Sequence, residues 1–183
     1  MIKKFIGMCL FVAVMAFTLN LNVEANSLNT TSTSKLGHAK QTGVVIYDQQ
    51  TLAEKGKVDS SNIGDVFYIK QELNHNNQKY YLISTRPSAS TGVLGWVKAN
   101  DLNVHVHKTV ARSANDIYIN GFGSAFDKAW GGKNNLVYSD TNPFKMTQLK
   151  VDLVETVGNN TWYRGVLDGK RVFLHENHVS RKK

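Results

Sequence analysis

Asp168-Gly169 separates two short runs of apolar and aromatic residues. An Asp-Gly pair in that setting is a preferred two-residue hairpin turn, because both central positions take positive φ. The turn fixes the pairing expected on either side: Leu167 with Lys170, Gly165 with Val172, Arg164 with Phe173, Tyr163 with Leu174 and Trp162 with His175. One side then carries Tyr163, Gly165, Leu167, Val172 and Leu174, an apolar set suited to a core. The other carries Trp162, Arg164, Val166, Arg171, Phe173 and His175, with Lys170 beside the turn. An outward face of this kind would bind an extended polyanion, cations meeting phosphate or sulfate oxygens and rings packing on sugar or polyol faces. In the first half, Tyr80 within Lys79-Tyr80-Tyr81-Leu82, and Trp96 and Lys98 within Gly95-Trp96-Val97-Lys98, offer a similar set. Trp130, beside Gly131-Gly132, belongs to a turn where it either lines a cleft or caps a barrel. Taken singly, Trp96 is as well explained by core packing and each of Lys98, Arg164, Lys170 and Arg171 by solvation. Their clustering is what points to binding.

Covalent chemistry finds little support. Cys9 is the only cysteine and lies in the N-terminal apolar run, so a processed chain would have no disulfide, thiolate cluster or cysteine nucleophile. The His-Glu-x-x-His signature of zinc peptidases is missing, and the carboxylates are scattered, where a glycosidase needs a pair on a sizeable scaffold. His105-Val106-His107 puts two imidazoles on one face of a strand, expected to be an outer face, but no third ligand stands at an obvious spacing. His175 and His178 are no stronger. The expectation is a protein that is not an enzyme and uses neither metal nor cofactor. Asn29-Thr30-Thr31 and Asn159-Asn160-Thr161 match a glycosylation sequon, a pattern short enough to recur by chance.

The elements that must position these residues repeat. His75-Asn76-Asn77-Gln78-Lys79-Tyr80-Tyr81-Leu82 is echoed 82 residues later by Val157-Gly158-Asn159-Asn160-Thr161-Trp162-Tyr163-Arg164. A second aromatic run follows each, at Gly95–Lys98 and Val172–His175. This predicts two copies of one small domain, over 35–107 and 108–183, with the joint near Lys108 to Asn115. Strands are expected at 43–47, 66–69, 79–84, 93–98 and 102–106, then at 116–120, 148–154, 161–167 and 170–175. No window holds a helical period, and the close spacing of strands and turns argues for two small all-β barrels. Residues 26–34, Asn-Ser-Leu-Asn-Thr-Thr-Ser-Thr-Ser, read as a polar linker with nothing to pack.

Residues 1–25 have the pattern of a cleaved signal peptide: Lys3 and Lys4, an apolar run from Phe5 to Leu19, and Val23-Glu24-Ala25. That apolar run is shorter than the roughly 20 residues of a spanning helix. The expected protein is therefore exported and peripheral to the membrane, and exported chains without cysteine suit a Gram-positive setting. The formal net charge is +8. Residues 26–107 hold 8 basic and 6 acidic side chains, and residues 108–183 hold 12 and 7. A basic exported chain is drawn to polyanions over a Debye length. Anionic wall polymers or sulfated glycans fit that setting better than nucleic acid. A structural domain that binds another exported protein through its aromatic face is a third reading. Oligomeric state is open.

Lys79-Tyr80-Tyr81-Leu82 followed by Gly95-Trp96-Val97-Lys98-Ala99-Asn100-Asp101-Leu102 carries a Gly-Trp pair. Lys128-Ala129-Trp130-Gly131-Gly132-Lys133-Asn134-Asn135-Leu136-Val137-Tyr138 and Thr161-Trp162-Tyr163-Arg164-Gly165 form a second block. Together these resemble tandem GW modules, the bacterial Src-homology-3-type domains of Gram-positive autolysins and invasion proteins, over essentially the whole chain after residue 25. Val172-Phe173 stands where Gly-Trp is usual. The resemblance implies tandem barrels that hold proteins on the cell surface without a covalent bond. It also implies lipoteichoic acid or related wall polymers as ligand, several members of the family also binding heparin-like glycans; an adhesin for host sulfated glycans or a host protein is the alternative. Proline-rich peptide binding is not implied, because the Gly-Trp segment fills the corresponding groove.

Overall fold

A computed structural model describes residues 28–88 and 90–181. The expected signal peptide and the first residues of the expected linker lie outside the described residues. Among the described residues every element is a strand or a single 3-10 turn, as the strand and turn spacing suggests. The first barrel contains β1 (Thr30–Ala39), β2 (Val45–Tyr47), β3 (Glu54–Lys57), β4 (Phe67–His75), β5 (Gln78–Ser84) and β6 (Val93–Lys98). After a 3-10 turn at Ala99–Asp101 comes β7 (Leu102–Ala111). The second contains β8 (Ile117–Ile119), β9 (Ala125–Phe126), β10 (Leu136–Tyr138), β11 (Gln148–Leu149), β12 (Val151–Val157), β13 (Asn160–Leu167) and β14 (Lys170–His175). A 3-10 turn at Glu176–His178 leads to β15 (Val179–Ser180). The run β4-β5-β6-turn-β7 is thus repeated as β12-β13-β14-turn-β15. Both barrels are of the SH3-like all-β kind.

The hairpin register is as expected. Trp162 pairs with His175, Tyr163 with Leu174, Arg164 with Phe173, Gly165 with Val172 and Leu167 with Lys170. Asp168 and Gly169 have φ of 49° and 74°. The matching β4–β5 turn places Asn76 and Asn77 at 48° and 59°. Asparagine tolerates the left-handed region through local hydrogen bonding of its short amide.

Two features depart from expectation. Residues 30–34 are not linker but the start of β1, where Thr30, Thr31 and Ser32 pair with Leu73, Glu72 and Gln71. Their side chains are largely exposed, so the strand is held by backbone pairing and leaves no apolar alternation to read. Second, the first half of the expected joint, residues 108–111, is strand, and only residues 112–115 are irregular. β7 runs unbroken from one barrel into the other: Leu102–Val106 pairs with β1, and His107–Ala111 pairs with β12. One 12-stranded sheet therefore passes through both barrels, with a separate three-stranded sheet β11-β8-β15.

Each barrel keeps its own core. Val44, Val58, Phe67, Ile69, Ile83, Val97 and Leu102 fill the first. Ile117, Ile119, Leu149, Val151, Val154, Leu167, Val172 and Leu174 fill the second. A further cluster joins them, with Leu36, Val66 and Tyr68 from the first barrel against Ala129, Leu153, Val157, Trp162 and Phe173 from the second. No helix among the described residues is long and apolar enough to cross a membrane.

Candidate functional site

The register puts the same positions of the two barrels on equivalent faces, and what covers each face differs. In the first barrel Leu73, Leu82 and Trp96 are buried beneath partly exposed Leu28, Tyr47, Leu52, Tyr80 and Val93. The turn at residues 48–53 folds over them, and Trp96 Nε1 donates to the Gln49 carbonyl at 3.1 Å. Gly95 is required there, since a Cβ at this position would collide with the Tyr47 carbonyl oxygen. Trp96, 2% exposed, is thus a covered core residue and not an open platform. Beside it, Tyr80 packs edge-on against Tyr47 at 5.6 Å, and the Lys98 ammonium lies 5.9 Å from the Tyr47 ring centroid.

In the second barrel the equivalent face is covered by the first barrel. Trp162 and Phe173, expected to face solvent, are 5% and 4% exposed. Period-two alternation sorted the side chains of the hairpin correctly into two sides, but on the second side Trp162 and Phe173 pack on Leu36, Val66 and Tyr68, while Val166 and Arg171 remain exposed. Buried aromatic area is what holds the barrels together here. His105 and His107 do share a face of β7; His105 is exposed, as expected, while His107 is covered at the seam. The ring of His105 meets Trp130 at 4.7 Å, while His107 is buried with Nε2 3.0 Å from a Glu155 carboxylate oxygen. No group of three or more potential metal ligands occurs among the described residues.

The longer connection between β9 and β10, residues 127–135, makes the docking specific. Trp130, at φ 56°, inserts edge-on between His38 (4.3 Å) and His105 (4.7 Å), and its carbonyl accepts from His38 Nε2 at 3.2 Å. Burial holds the His38 pKa below the usual imidazole value. Asn135, itself buried, accepts the Val66 amide at 2.9 Å and the Gly132 amide at 3.3 Å through one oxygen. Asn134 Nδ2 donates to the carbonyls of Ser61 and Ile63, and Lys128 Nζ donates to Val66 O at 3.2 Å. Gly132 lies against the Gly64 carbonyl so closely that any side chain would collide with it.

Along the open rim of this seam stand the cations. Arg164 Nε donates to Asp152 at 2.7 Å, and its guanidinium carbon is 5.9 Å from the Phe173 centroid. Arg171 is more exposed and lies 3.9 Å from the same carboxylate. Lys70 from the first barrel and Lys128 from the second each hold an ammonium 5.9 Å from the Tyr68 ring centroid. Burial, then the charges of Glu155 and Asp127, push the Tyr68 hydroxyl up to about 12, so it stays protonated at neutral pH.

The GW (Gly-Tryp) dipeptide domain model matches twice, over residues 25–103 and 103–180. The chain belongs to the GW family. The shared residue 103 lies at the beginning of β7, the strand common to both GW modules. No curated protein matches the sequence. Among solved structures, a candidate autolysin from Listeria monocytogenes is similar over 82% of this chain and 63% of that one, at 13% identity and a TM-score of 0.35. The chain therefore spans less than two thirds of that protein.

The remaining anticipated residues of the second GW module lie apart from the rim. Lys170 is exposed at the hairpin end, 5.0 Å over the Tyr138 ring. His175, half-buried, packs edge-on against Trp162 at 5.0 Å and lies 5.7 Å from His178. Sequence reasoning missed Tyr68, Lys70, Lys128 and Asn135. The signal was present in the repeat: the nine residues of 127–135 replace the six of 48–53, and the excess, with its Trp-Gly-Gly, is what reaches across.

Proposed function

We propose that this chain is a secreted, non-catalytic protein that attaches non-covalently to the cell envelope through lipoteichoic acid or a related anionic wall polymer. Membership of the GW family supports the envelope-binding role. The observation that carries the polymer assignment is the set of outward cations, Lys98, Lys170, Arg164 and Arg171, each set against an aromatic ring or at the module seam, on a chain of net charge +8. A polyol-phosphate chain offers spaced monoanions that such cations meet, and weak contacts on two linked modules combine through effective concentration, raising apparent affinity by about two orders of magnitude or more. In this reading Tyr80 and His175 border the surface, while Trp96, Trp130, Trp162 and Phe173 support it from beneath.

The discriminating experiment is retention of the full chain on Gram-positive cells that make lipoteichoic acid and on cells that lack it. Selective loss on the deficient cells is expected. Equal retention would remove lipoteichoic acid as the ligand, and retention by heparin alone would assign a sulfated host glycan instead.

A further inference from the structure

Lys70 comes from β4 of the first module and Lys128 from the β9–β10 connection of the second, yet both ammonium groups flank one ring, Tyr68. Neither has a carboxylate partner among the described residues. Lys70 reaches only Ser34 Oγ at 3.5 Å, and Lys128 donates to the Val66 carbonyl. The Tyr68 ring is buried in the seam, but its hydroxyl is not among the buried polar atoms and makes no hydrogen bond to any described residue. Burial and the charges of Glu155 and Asp127 keep this phenol neutral, with Arg164 acting more weakly in the opposite sense. Of the carboxylates nearby, Asp152 is held by Arg164 and Glu155 lies 3.0 Å from His107 Nε2, while Asp127 is exposed and carries no ion pair among the described residues.

We infer that the seam itself is a binding site for a tetrahedral monoanionic oxyanion, the phosphodiester or sulfate unit of a polymer, held by Lys70, Lys128 and the Tyr68 hydroxyl. The site needs both modules. Each ammonium lies 5.9 Å from the centroid of the same ring, so the two are separated by no more than twice that distance, and the neutral phenol on that ring can donate a third contact alongside the stronger charge-assisted ones. A half-site on either module would hold one cation only. This assignment rests on the polyanion reading above and locates it. It makes the docked pair, and not each barrel, the recognition unit.

The test uses the full chain, titrated with purified lipoteichoic acid and, in a parallel arm, heparin, which separates a phosphodiester source from a sulfate source. Three variants are compared with the parent: Lys70→Gln with Lys128→Gln, Tyr68→Phe, and, as a control removing the same charge elsewhere, Lys40→Gln with Lys55→Gln. The site predicts at least about a tenfold affinity loss for the seam pair, about threefold to tenfold for Tyr68→Phe, and less than about threefold for the control. A Lys70→Arg, Lys128→Arg chain, which keeps both charges, should retain most of the affinity, separating ligand contact from loss of fold. Equal losses in the seam and control pairs would overturn the seam site while leaving polyanion binding intact. No binding by the parent chain to either polymer would instead overturn the reading on which it rests.

Discussion

Replacing Asn135 by alanine should damage the protein far more than a single polar deletion on a loop ordinarily would. Its side-chain oxygen accepts two amides, that of Val66 across the seam at 2.9 Å and that of Gly132 in its own connection at 3.3 Å. Val66 is fully buried, so removing the acceptor strands an N–H with no access to water. An unsatisfied buried donor costs about 1–3 kcal/mol, and the second, longer contact adds less, giving about 2–3 kcal/mol in all. For a chain of this size that lowers the unfolding midpoint by about 4–12 °C. Asn134→Ala is the reference, since it removes donations made by an exposed side chain in the same segment and should cost under about 1 kcal/mol. Urea unfolding followed by tryptophan fluorescence reads the effect, as Trp130 and Trp162 both sit at the seam. The parent should unfold in one transition, and Asn135→Ala should shift it or split it into two. If Asn135→Ala lies within 0.5 kcal/mol of the parent, or costs no more than Asn134→Ala, the seam is not the coupled interface described above.

Other outcomes follow from the same contacts. Trp162→Ala should destabilise the fold by about 3–5 kcal/mol, measured by urea unfolding, because it opens a cavity in the joint cluster. Arg164→Gln with Arg171→Gln should lower cell association severalfold, measured by sedimentation with cells, while the thermal midpoint moves little, since both guanidinium groups are at the rim. Burial raises the Tyr68 pKa from 10.0 to about 12, so the protein favours the neutral phenol; stability from this group is complete below pH 10 and is lost as pH rises to about 12. Comparing urea midpoints at pH 9 and pH 11.5 in the parent and in Tyr68→Phe should show a smaller decline in the variant. Hydrogen bonding from Lys35 lowers the Glu72 pKa from 4.5, so its stabilisation is present above that pH and is lost on acidification; Glu72→Gln should flatten the acid side of the stability profile.

Local chemistry in this chain was legible, and burial by distant parts was not. Asp168-Gly169 fixed the β13–β14 pairing residue by residue because turn geometry is a property of two adjacent positions. Alternation then showed that Trp162, Arg164 and Phe173 share a side. What lies over that side depends on Leu36, Val66 and Tyr68, far earlier in the chain, and no local pattern carries that information. The contrast between Trp96 and Trp162 makes the point: equivalent faces are closed in one case by the short turn at 48–53 and in the other by a whole module. Polar edge segments such as Thr30–Ser32 and Glu54–Lys57 were missed as strands for a different reason. Backbone pairing holds them, and their side chains have no buried side to alternate against.

The most direct test of envelope binding by cations is calorimetric titration of the full chain with purified lipoteichoic acid at 50 and 200 mM salt. Binding carried by Lys and Arg against phosphates should weaken by at least about tenfold between the two conditions. An affinity that does not change with salt would contradict the account.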